Sequence, residues 1–384
     1  MAGFVYLDNG ATTQVAPEVR AALEPLLTRP LGNPAALHQL GVDAHTLLQE
    51  ARTIVAAAVG LPASGLVFTS GGSEANALAL LGVARRRRRP GHLLVSAIEH
   101  PSVLETCRAL GEEGWALTEL PVDAHGLVDP AAVAAQLRPE TVLVSIAHGN
   151  HIVGTLQPLR DIVRAVRRQR ADVLIHTDGV QSFLKEPLDL RAVGVDLVSL
   201  SAHKVHGLPG SGALVCGPGV TLRPLWRGGL QEAGRRAGTP NLLGAVAFGV
   251  AVTRGLATRA SDVPRLRQLR DRLQTLLQEA IPGLRVNGHP TARLPGHLHV
   301  SLPGVSSEPL LHALEARQVI ASAGSACHAA ARALEPVLVQ LGYRDSERWG
   351  HLRLTLSRET TAEEVDHAAA AIVAAQLEVA RAHR

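Results

Sequence analysis

Cysteine is scarce in this chain of 384 residues, which contains Cys107, Cys216 and Cys327 and no other. Three cysteines cannot form a disulfide framework, and their spacing suits no zinc site, so we expect neither disulfides nor a metal centre. A reducing cytoplasm fits this cysteine usage best. Aromatic residues make up 2% of the sequence and hydrophobic residues 46%. We therefore expect a large core built of alanine, valine and leucine.

The sequence also lacks a strong excess of either charge and a long apolar run. Its formal net charge is +4, which is mild for this length. The densest basic run, Arg85 to Arg89, follows a helical pattern and precedes Pro90-Gly91, which favours a solvated helix end over a nucleic-acid surface. No apolar run approaches the ~18 residues that cross a bilayer. We expect neither a nucleic acid nor a membrane as partner.

Lysine is the third scarce residue, because Lys185 and Lys204 are the only two among 38 lysines and arginines. Lys204 follows Val195 to Leu200, an apolar run that predicts a buried strand. Ligands of open α/β sheets gather beyond the carboxyl ends of the strands. Arginine cannot supply a deprotonatable amine that forms a Schiff base. Lys204 is therefore a candidate catalytic residue, and the alternative is an ordinary lysine in a surface turn.

Strand and helix patterns alternate as far as about Ala251, which predicts an α/β fold with a mostly parallel, doubly wound sheet. Beyond that point, a predicted helix over Pro264 to Ala280 and further strand and helix patterns indicate a smaller α+β domain. We predict a large domain over residues 12–255 and a small domain formed by 1–11 and 256–384. The strands predicted for the large domain include Leu66 to Thr69, Leu93 to Ala97, Thr141 to Ala147, Val173 to Thr177 and Ser211 to Cys216.

Chemically useful side chains fall at the predicted strand ends. Ser70-Gly71-Gly72-Ser73 lies between a strand and a helix, an arrangement that points free N–H groups at an anion. Ser73 either caps that helix or donates its hydroxyl to a phosphate. A lysine that carries pyridoxal phosphate needs a carboxylate beside the ring nitrogen. Asp178 suits that role, and the alternative is a turn or helix-capping aspartate.

Six segments, in their order and spacing, resemble cysteine desulfurases of the NifS/IscS-like group in the class-V aminotransferase family. The resemblance covers nearly the whole chain. It implies the aspartate-aminotransferase-like fold type I of pyridoxal 5'-phosphate enzymes, a homodimer, and a small domain that carries an active-cysteine loop. The segments are Tyr6-Leu7-Asp8-Asn9-Gly10-Ala11-Thr12-Thr13, Phe68-Thr69-Ser70-Gly71-Gly72-Ser73-Glu74-Ala75-Asn76, His176-Thr177-Asp178-Gly179-Val180-Gln181-Ser182, Ser201-Ala202-His203-Lys204, Arg236-Ala237-Gly238-Thr239-Pro240-Asn241 and Ser322-Ala323-Gly324-Ser325-Ala326-Cys327.

The resemblance implies a role for each candidate site residue. Lys204 would hold the cofactor covalently, Asp178 would pair with its ring nitrogen, and His100 would stack on the ring and assist proton transfer. The phosphate of the cofactor would contact Gly72, Ser73, Ser201, His203 and the partner chain's Thr239. Gln181 would hydrogen-bond the ring oxygen, and His151 would contact the cofactor or the substrate. Arg353 and Asn33 would bind the substrate.

Cys327 separates the implied reaction from transamination. Its thiolate would attack the sulfur of L-cysteine, which leaves L-alanine and a persulfide on the enzyme. Sulfur-acceptor proteins, such as those of iron–sulfur cluster assembly or tRNA thiolation, would then receive the sulfur. The surrounding Gly, Ser and Ala residues with His328 suit an exposed, easily deprotonated thiol. Cys107 and Cys216 are predicted to be small core residues.

Two departures from the family pattern leave other functions open. Asn150-His151-Ile152 stands where the family has Asn-Asn-Glu, and Asn33-Pro34-Ala35-Ala36 lacks two hydroxyls. A selenocysteine lyase or another pyridoxal-phosphate β-lyase would use the same Lys204. Full sulfur release by Cys327→Ala would indicate that class. A catalytically degenerate partner in a sulfur-transfer complex is the second alternative, which a colourless protein unable to take up the cofactor would indicate.

Overall fold

The computed structural model describes residues 3–187, 189–324, 334–344 and 349–382. Its strands are β1 (Val5–Tyr6), β2 (Leu66–Thr69), β3 (His92–Ser96), β4 (Ala116–Leu120), β5 (Thr141–Ser145), β6 (Leu174–Asp178), β7 (Leu197–Ser201), β8 (Gly212–Cys216), β9 (Arg285–Asn287), β10 (His297–Pro303), β11 (Val319–Ile320) and β12 (Trp349–Thr355). Its α-helices are α1 (Pro17–Leu27), α2 (Gln39–Ala57), α3 (Gly72–Ala84), α4 (Pro101–Glu112), α5 (Pro130–Ala135), α6 (Leu159–Gln169), α7 (Leu190–Val193), α8 (Leu242–Ala280), α9 (Ser307–Glu315), α10 (Pro336–Gln340) and α11 (Ala362–Ala382).

The large sheet has the strand order β2-β8-β7-β6-β5-β3-β4. Strand β8 runs antiparallel to both of its neighbours, and the other pairs are parallel. Strands β5 and β7 are buried along their whole length because helices cover both faces of the sheet, which explains their continuous apolar sequences. The predicted α/β fold with a mostly parallel sheet is confirmed. The carboxyl ends of β2, β3, β5, β6 and β7 therefore meet at one edge.

The smaller sheet has the antiparallel order β12-β10-β9 and two faces of opposite character. Its apolar face packs into a core with α8, α9 and α11, and includes Leu298, Val300, Leu302, Leu352 and Leu354. Side chains alternate along a strand, so the intervening residues share the other face. That polar face carries His297, His299, Ser301, His351, Arg353 and Thr355. It turns toward the large sheet, where His297 Nε2 lies 2.6 Å from the Ile152 carbonyl oxygen.

Helix α8 runs without a break from Leu242 to Ala280, whereas the sequence predicted a helix that begins at Pro264. Pro264 lies inside α8 on an exposed face, so water can solvate the carbonyl that lacks an N–H partner. Phe248 in the first half belongs to the large core, and Leu273 in the second half belongs to the small one. By length and composition α8 also qualifies as a candidate membrane span, but half of that window is buried inside the protein.

A buried ion pair anchors the segment that precedes Arg236 to Asn241. Arg52 donates from Nη1 and Nη2 to the two carboxylate oxygens of Glu232, at 2.6 and 2.7 Å. The Phe68 amide donates to the same carboxylate at 3.0 Å. Glu232 and Ala233 have φ angles of 51° and 55°, a left-handed conformation that costs free energy for residues with a side chain. The ion pair therefore holds a strained turn in place.

We predict that Glu232→Gln lowers the free energy of unfolding by about 3 kcal/mol, because it leaves the Arg52 guanidinium buried without its counter-charge. The matched control is Asp366→Asn, which removes the exposed partner of Arg272. We expect no measurable change there, because exposed ion pairs contribute little. Urea unfolding followed by circular dichroism measures both variants. Equal midpoints for Glu232→Gln and the wild type would contradict the anchoring role.

Candidate functional site

The candidate site lies at the edge where the strands of the large sheet end. Lys204 is in a short 3-10 turn directly after β7, and Asp178 is the last residue of β6. His100 follows β3 and caps α4, and His151 lies in the turn after β5. The electrostatic influence of Asp178 and Lys204 reaches the His100 ring. The structure thus brings these four residues together, as expected for polar residues at the carboxyl ends of neighbouring strands.

An N-terminal segment of residues 8–13, here called the strap, crosses the site. Lys204 Nζ donates to the carbonyl oxygens of Gly10 and Ala11, at 2.5 and 2.6 Å. Gln181 Nε2 donates to the same Gly10 oxygen at 2.9 Å. His203 Nδ1 lies 3.1 Å from Thr12 Oγ1. Strap carbonyls therefore orient the amine of Lys204 beside Gln181 and His203.

A hydrogen-bonded chain links Asp178 to His100. Asn76 Nδ2 donates to Asp178 Oδ2 at 2.8 Å and to Ser102 Oγ at 2.9 Å. The Ser102 amide donates to His100 Nδ1 at 3.1 Å. Because Nδ1 is an acceptor there, the proton of a neutral His100 ring sits on Nε2. Burial lowers the pKa of His100, against an opposing effect of Asp178, so the neutral ring is favoured.

The turn between β2 and α3 has the features of a phosphate cradle. Helix α3 begins at Gly72 with Gly71 as its cap, so Ser73 lies in the first turn and is not the cap. A Cβ atom at Gly72 would meet Val180 at 2.7 Å and Ser201 at 3.6 Å. Ser201 Oγ is buried and has no hydrogen-bond partner among the residues that the structure describes. Exposed N–H groups of a 13-residue helix and an unpartnered hydroxyl together suit an anionic group.

Arg353 and His151 form the opposite wall of the site. Arg353 Nη2 lies 2.9 Å from Asp8 Oδ1, and Nη1 donates to the His151 carbonyl at 3.1 Å. The rings of His151 and His100 meet edge to face at 5.1 Å between centroids. His151 Nε2 is buried without a partner, and burial holds the pKa of His151 well below its usual value. This wall therefore presents a cationic fork and a neutral imidazole.

Cys327 lies outside the described residues, but the chain on either side of residues 325–333 borders the site. The Arg353 amide donates to the Ser322 carbonyl at 2.6 Å. A Cβ atom at Gly324 would lie 2.8 Å from Glu335 Oε2, and the charge of Glu335 acts on the His100 ring. Ser322 therefore lies beside Arg353, and Glu335 lies close enough to His100 to act on its ring.

The other two cysteines are core residues, as predicted. Cys107 and Cys216 are free thiols and are buried. Burial raises the pKa of Cys107 to about 12 and that of Cys216 to about 11. A thiol is nucleophilic only as the thiolate, so neither residue is suited to attack a substrate.

Two of the predicted site residues, Asn33 and Thr239, are not among those that line the cavity of Lys204. Asn33 lines a separate surface cavity with Gln231 and Pro240, and Lys204 is not among the residues of that cavity. Thr239 is exposed beside Pro240. The contact of Thr239 with a partner subunit stays a prediction.

Lys185 and Glu99 border the site and had no role in the sequence-based prediction. Lys185 lines the same cavity as Lys204, and burial followed by the charge of Lys204 lowers the pKa of Lys185 to about 7. Glu99 accepts from Ser96 Oγ and the Ala147 amide, and burial raises the pKa of Glu99 to about 8. Both lie next to predicted site segments, but only their burial distinguishes them from ordinary charged residues.

Comparisons with known proteins assign the family. Residues 5–367 match the family model described as Aminotransferase class-V, and the chain belongs to that family. It is 36% identical to the cysteine desulfurase IscS of Dictyoglomus turgidum over 94% of this chain and 92% of that protein. It is 39% identical to the cysteine desulfurase IscS of Methanosarcina thermophila over 94% of this chain and 89% of that protein.

Solved structures agree with these relatives. A NifS-like protein superposes with a TM-score of 0.90 at 32% identity, over 97% of this chain and 98% of that one. A structure described as SspA in complex with cysteine superposes with a TM-score of 0.82 at 32% identity, over 93% of this chain and 99% of that one. The similarity therefore extends over both sheets and the site between them.

We predict that Glu99→Gln changes the pH dependence of stability. The folded protein holds a proton on Glu99 more tightly than the unfolded chain, so wild-type stability from this group is complete below about pH 4.5 and is lost as the pH rises toward 8. Glutamine mimics the protonated acid and removes that loss. Each unit of pKa displacement is worth about 1.4 kcal/mol.

Thermal unfolding at pH 4.5 and pH 8.5 measures this difference. The two proteins should unfold at similar temperatures at the lower pH, and Glu99→Gln should be the more stable one at the higher pH. Glu105→Gln, on the exposed face of α4, is the control and should show no such trend. If the wild type were more stable than Glu99→Gln at pH 8.5, the buried, protonated state of Glu99 would be refuted.

Proposed function

We propose that this chain is a pyridoxal-phosphate-dependent cysteine desulfurase that converts L-cysteine into L-alanine and places the sulfur on Cys327 as a persulfide. The observation that carries the proposal is that Lys204 and Asp178, at the strand edge of the large sheet, share the site with Arg353 of β12, since the charges of Lys204 and Arg353 both act on His151 and those of Asp178 and Lys204 on His100. The similarity to proteins named cysteine desulfurase supports the same activity.

The residues present fit the cofactor. The α3 cradle with Gly72, Ser73 and the unpartnered Ser201 hydroxyl suits its phosphate. Asp178 suits the ring nitrogen, because it ends β6 at the same strand edge as Lys204 and its carboxylate is oriented by Asn76. Lys204 supplies the attachment amine, with His203 and Gln181 nearby. When bound, pyridoxal phosphate supplies an electron-withdrawing ring that weakens bonds next to the substrate's amino group.

The protein's own groups then bind, orient and move protons. Arg353 binds the substrate carboxylate with its planar guanidinium. His100 Nε2 carries the exchangeable proton, while Ser102 fixes the ring orientation. The Cys327 thiolate attacks the substrate sulfur, so that an S–S bond forms and the C–S bond breaks. The electron pair of the C–S bond stays with the carbon skeleton, which gains a proton and leaves as alanine.

The partner, sulfur acceptors and location belong to the same proposal. A homodimer is supported by Thr239, which is exposed and is not among the residues that line the cavity of its own Lys204, as expected of a residue that contacts a neighbouring subunit's phosphate. Persulfide sulfur would pass to acceptor proteins of iron–sulfur cluster assembly or tRNA thiolation. A cytoplasmic location agrees with the free thiols of Cys107 and Cys216.

The decisive experiment incubates the holoenzyme with L-cysteine and a reducing thiol, and measures alanine and sulfide together. We expect equal amounts of the two products from the wild type. Cys327→Ala should lose at least about 100-fold in rate, because the attacking thiolate is gone. The matched control Cys107→Ala/Cys216→Ala should retain the wild-type product ratio. Full activity of Cys327→Ala would instead favour a β-lyase that needs no enzyme persulfide.

A further inference from the structure

Asp8 contacts the guanidinium group proposed to bind substrate. In the part of the chain that the structure describes, it is the carboxylate paired with Arg353, at 2.9 Å between Oδ1 and Nη2. The Arg353 side chain is 3% exposed and that of Asp8 is 18% exposed. A guanidinium this deeply buried needs a counter-charge, because an unpaired buried charge is costly. Asp8 supplies that counter-charge in the structure.

The geometry of the fork makes Asp8 a competitor of the substrate. Arg353 Nη1 is engaged with the His151 carbonyl, and Nε is buried without a partner beside Gly10. A carboxylate binds a guanidinium most strongly through two neighbouring nitrogens. A guanidinium offers two such pairs of nitrogens, Nη1 with Nη2 and Nε with Nη2. Both pairs include Nη2, which Asp8 already contacts. An incoming carboxylate therefore shares Nη2 with a like charge or replaces Asp8 there.

Asp8 is placed so that it can be replaced. It lies at the start of the strap, where its backbone bridges to Thr355 and accepts from the Tyr6 hydroxyl. These main-chain contacts do not involve the carboxylate, so they can persist when the side chain leaves Arg353. The partial exposure of the side chain lets water solvate the released carboxylate. Arg353, by contrast, is fixed in β12 and has no comparable freedom.

We propose that Asp8 is a specificity-determining residue, an internal carboxylate that occupies Arg353 until an amino-acid carboxylate takes its place. The inference rests on the proposed role of Arg353 in substrate binding. Asp8 thereby sets a threshold for binding, because a ligand must compensate for the ion pair that it disrupts. Ligands whose carboxylate fits the guanidinium well pass this threshold, and ligands whose carboxylate reaches it poorly do not.

The test is Asp8→Asn, which keeps a hydrogen-bond acceptor for Nη2 and removes the charge. L-Alanine serves as the probe, because it carries the carboxylate but no sulfur. Its dissociation constant for the holoenzyme, measured from the cofactor absorbance, should fall about tenfold, as expected for a coupling of ordinary size. Without alanine the variant should unfold at a lower temperature than the wild type, and alanine should raise that temperature by more than it does in the wild type.

The matched control is Asn9→Ala, which alters the same strap without a change of charge. It removes the side-chain bonds to the Tyr6 and Thr355 carbonyls and should not tighten alanine binding. Asp8→Ser provides a second uncharged variant if Asp8→Asn folds poorly, and it should tighten binding in the same direction. Unchanged or weaker alanine binding in the folded Asp8 variants would overturn the proposal.

Arg353→Gln separates this inference from the proposed function. It should weaken alanine binding, and the addition of Asp8→Asn should then have no further effect, because the group for which the two carboxylates compete is absent. Wild-type alanine affinity in Arg353→Gln would overturn both the role of Arg353 and the role of Asp8. The sulfur-transfer reaction would still be judged independently by Cys327→Ala.

Discussion

Hydrogen bonds between the strap and its surroundings join the two sheets at the site. The Gly10 amide donates to Thr355 Oγ1 of the small sheet at 2.6 Å, while the Thr13 amide donates to the His203 carbonyl in the turn after β7 at 2.9 Å. The same short segment contacts Lys204 and Arg353. The distance between the Lys204 amine and the Arg353 guanidinium thus depends on a few strap residues.

Charge in the site is organised around buried cations and neutral imidazoles. Lys204, Lys185 and Arg353 are the basic side chains of the site, and burial lowers the pKa of Lys185, His100 and His151. Neutral rings add no positive charge of their own, and each offers one nitrogen as a hydrogen-bond donor and the other as an acceptor. The cations then favour anionic ligands, such as a phosphate or an amino-acid carboxylate. The electrostatic design and the proposed chemistry therefore agree.

The large sheet was predictable because its strands are short apolar runs that end at glycine, proline or polar residues. Strand β2 was predicted with its observed bounds, and β3 and β5 differ by one or two residues. The predicted helix over Pro264 to Ala280 is shorter than α8. In sequence, an exposed proline inside a helix looks the same as a proline at a helix start. The capping alternative for Ser73 is wrong, because the cap of α3 is Gly71, two residues earlier.

Other features of the site depend on burial and assembly, which a single sequence does not encode locally. Glu99 and Lys185 look like ordinary surface charges until the fold encloses them. The contact between Asp8 and Arg353 joins residues 345 positions apart. Asn33 and Thr239 are not among the residues that line the cavity of their own Lys204, so their function cannot be predicted from one chain. Segment resemblance identified the family correctly, whereas these distances and environments required the fold.

The near-absence of lysine has a chemical consequence for an enzyme that must capture an aldehyde. Both lysine amines border one cavity, and every other strongly basic side chain is an arginine. Guanidinium groups keep the surface soluble and do not condense readily with aldehydes. Free pyridoxal phosphate therefore meets few competing lysine side chains on this protein, and adventitious adducts at decoy positions are minimised.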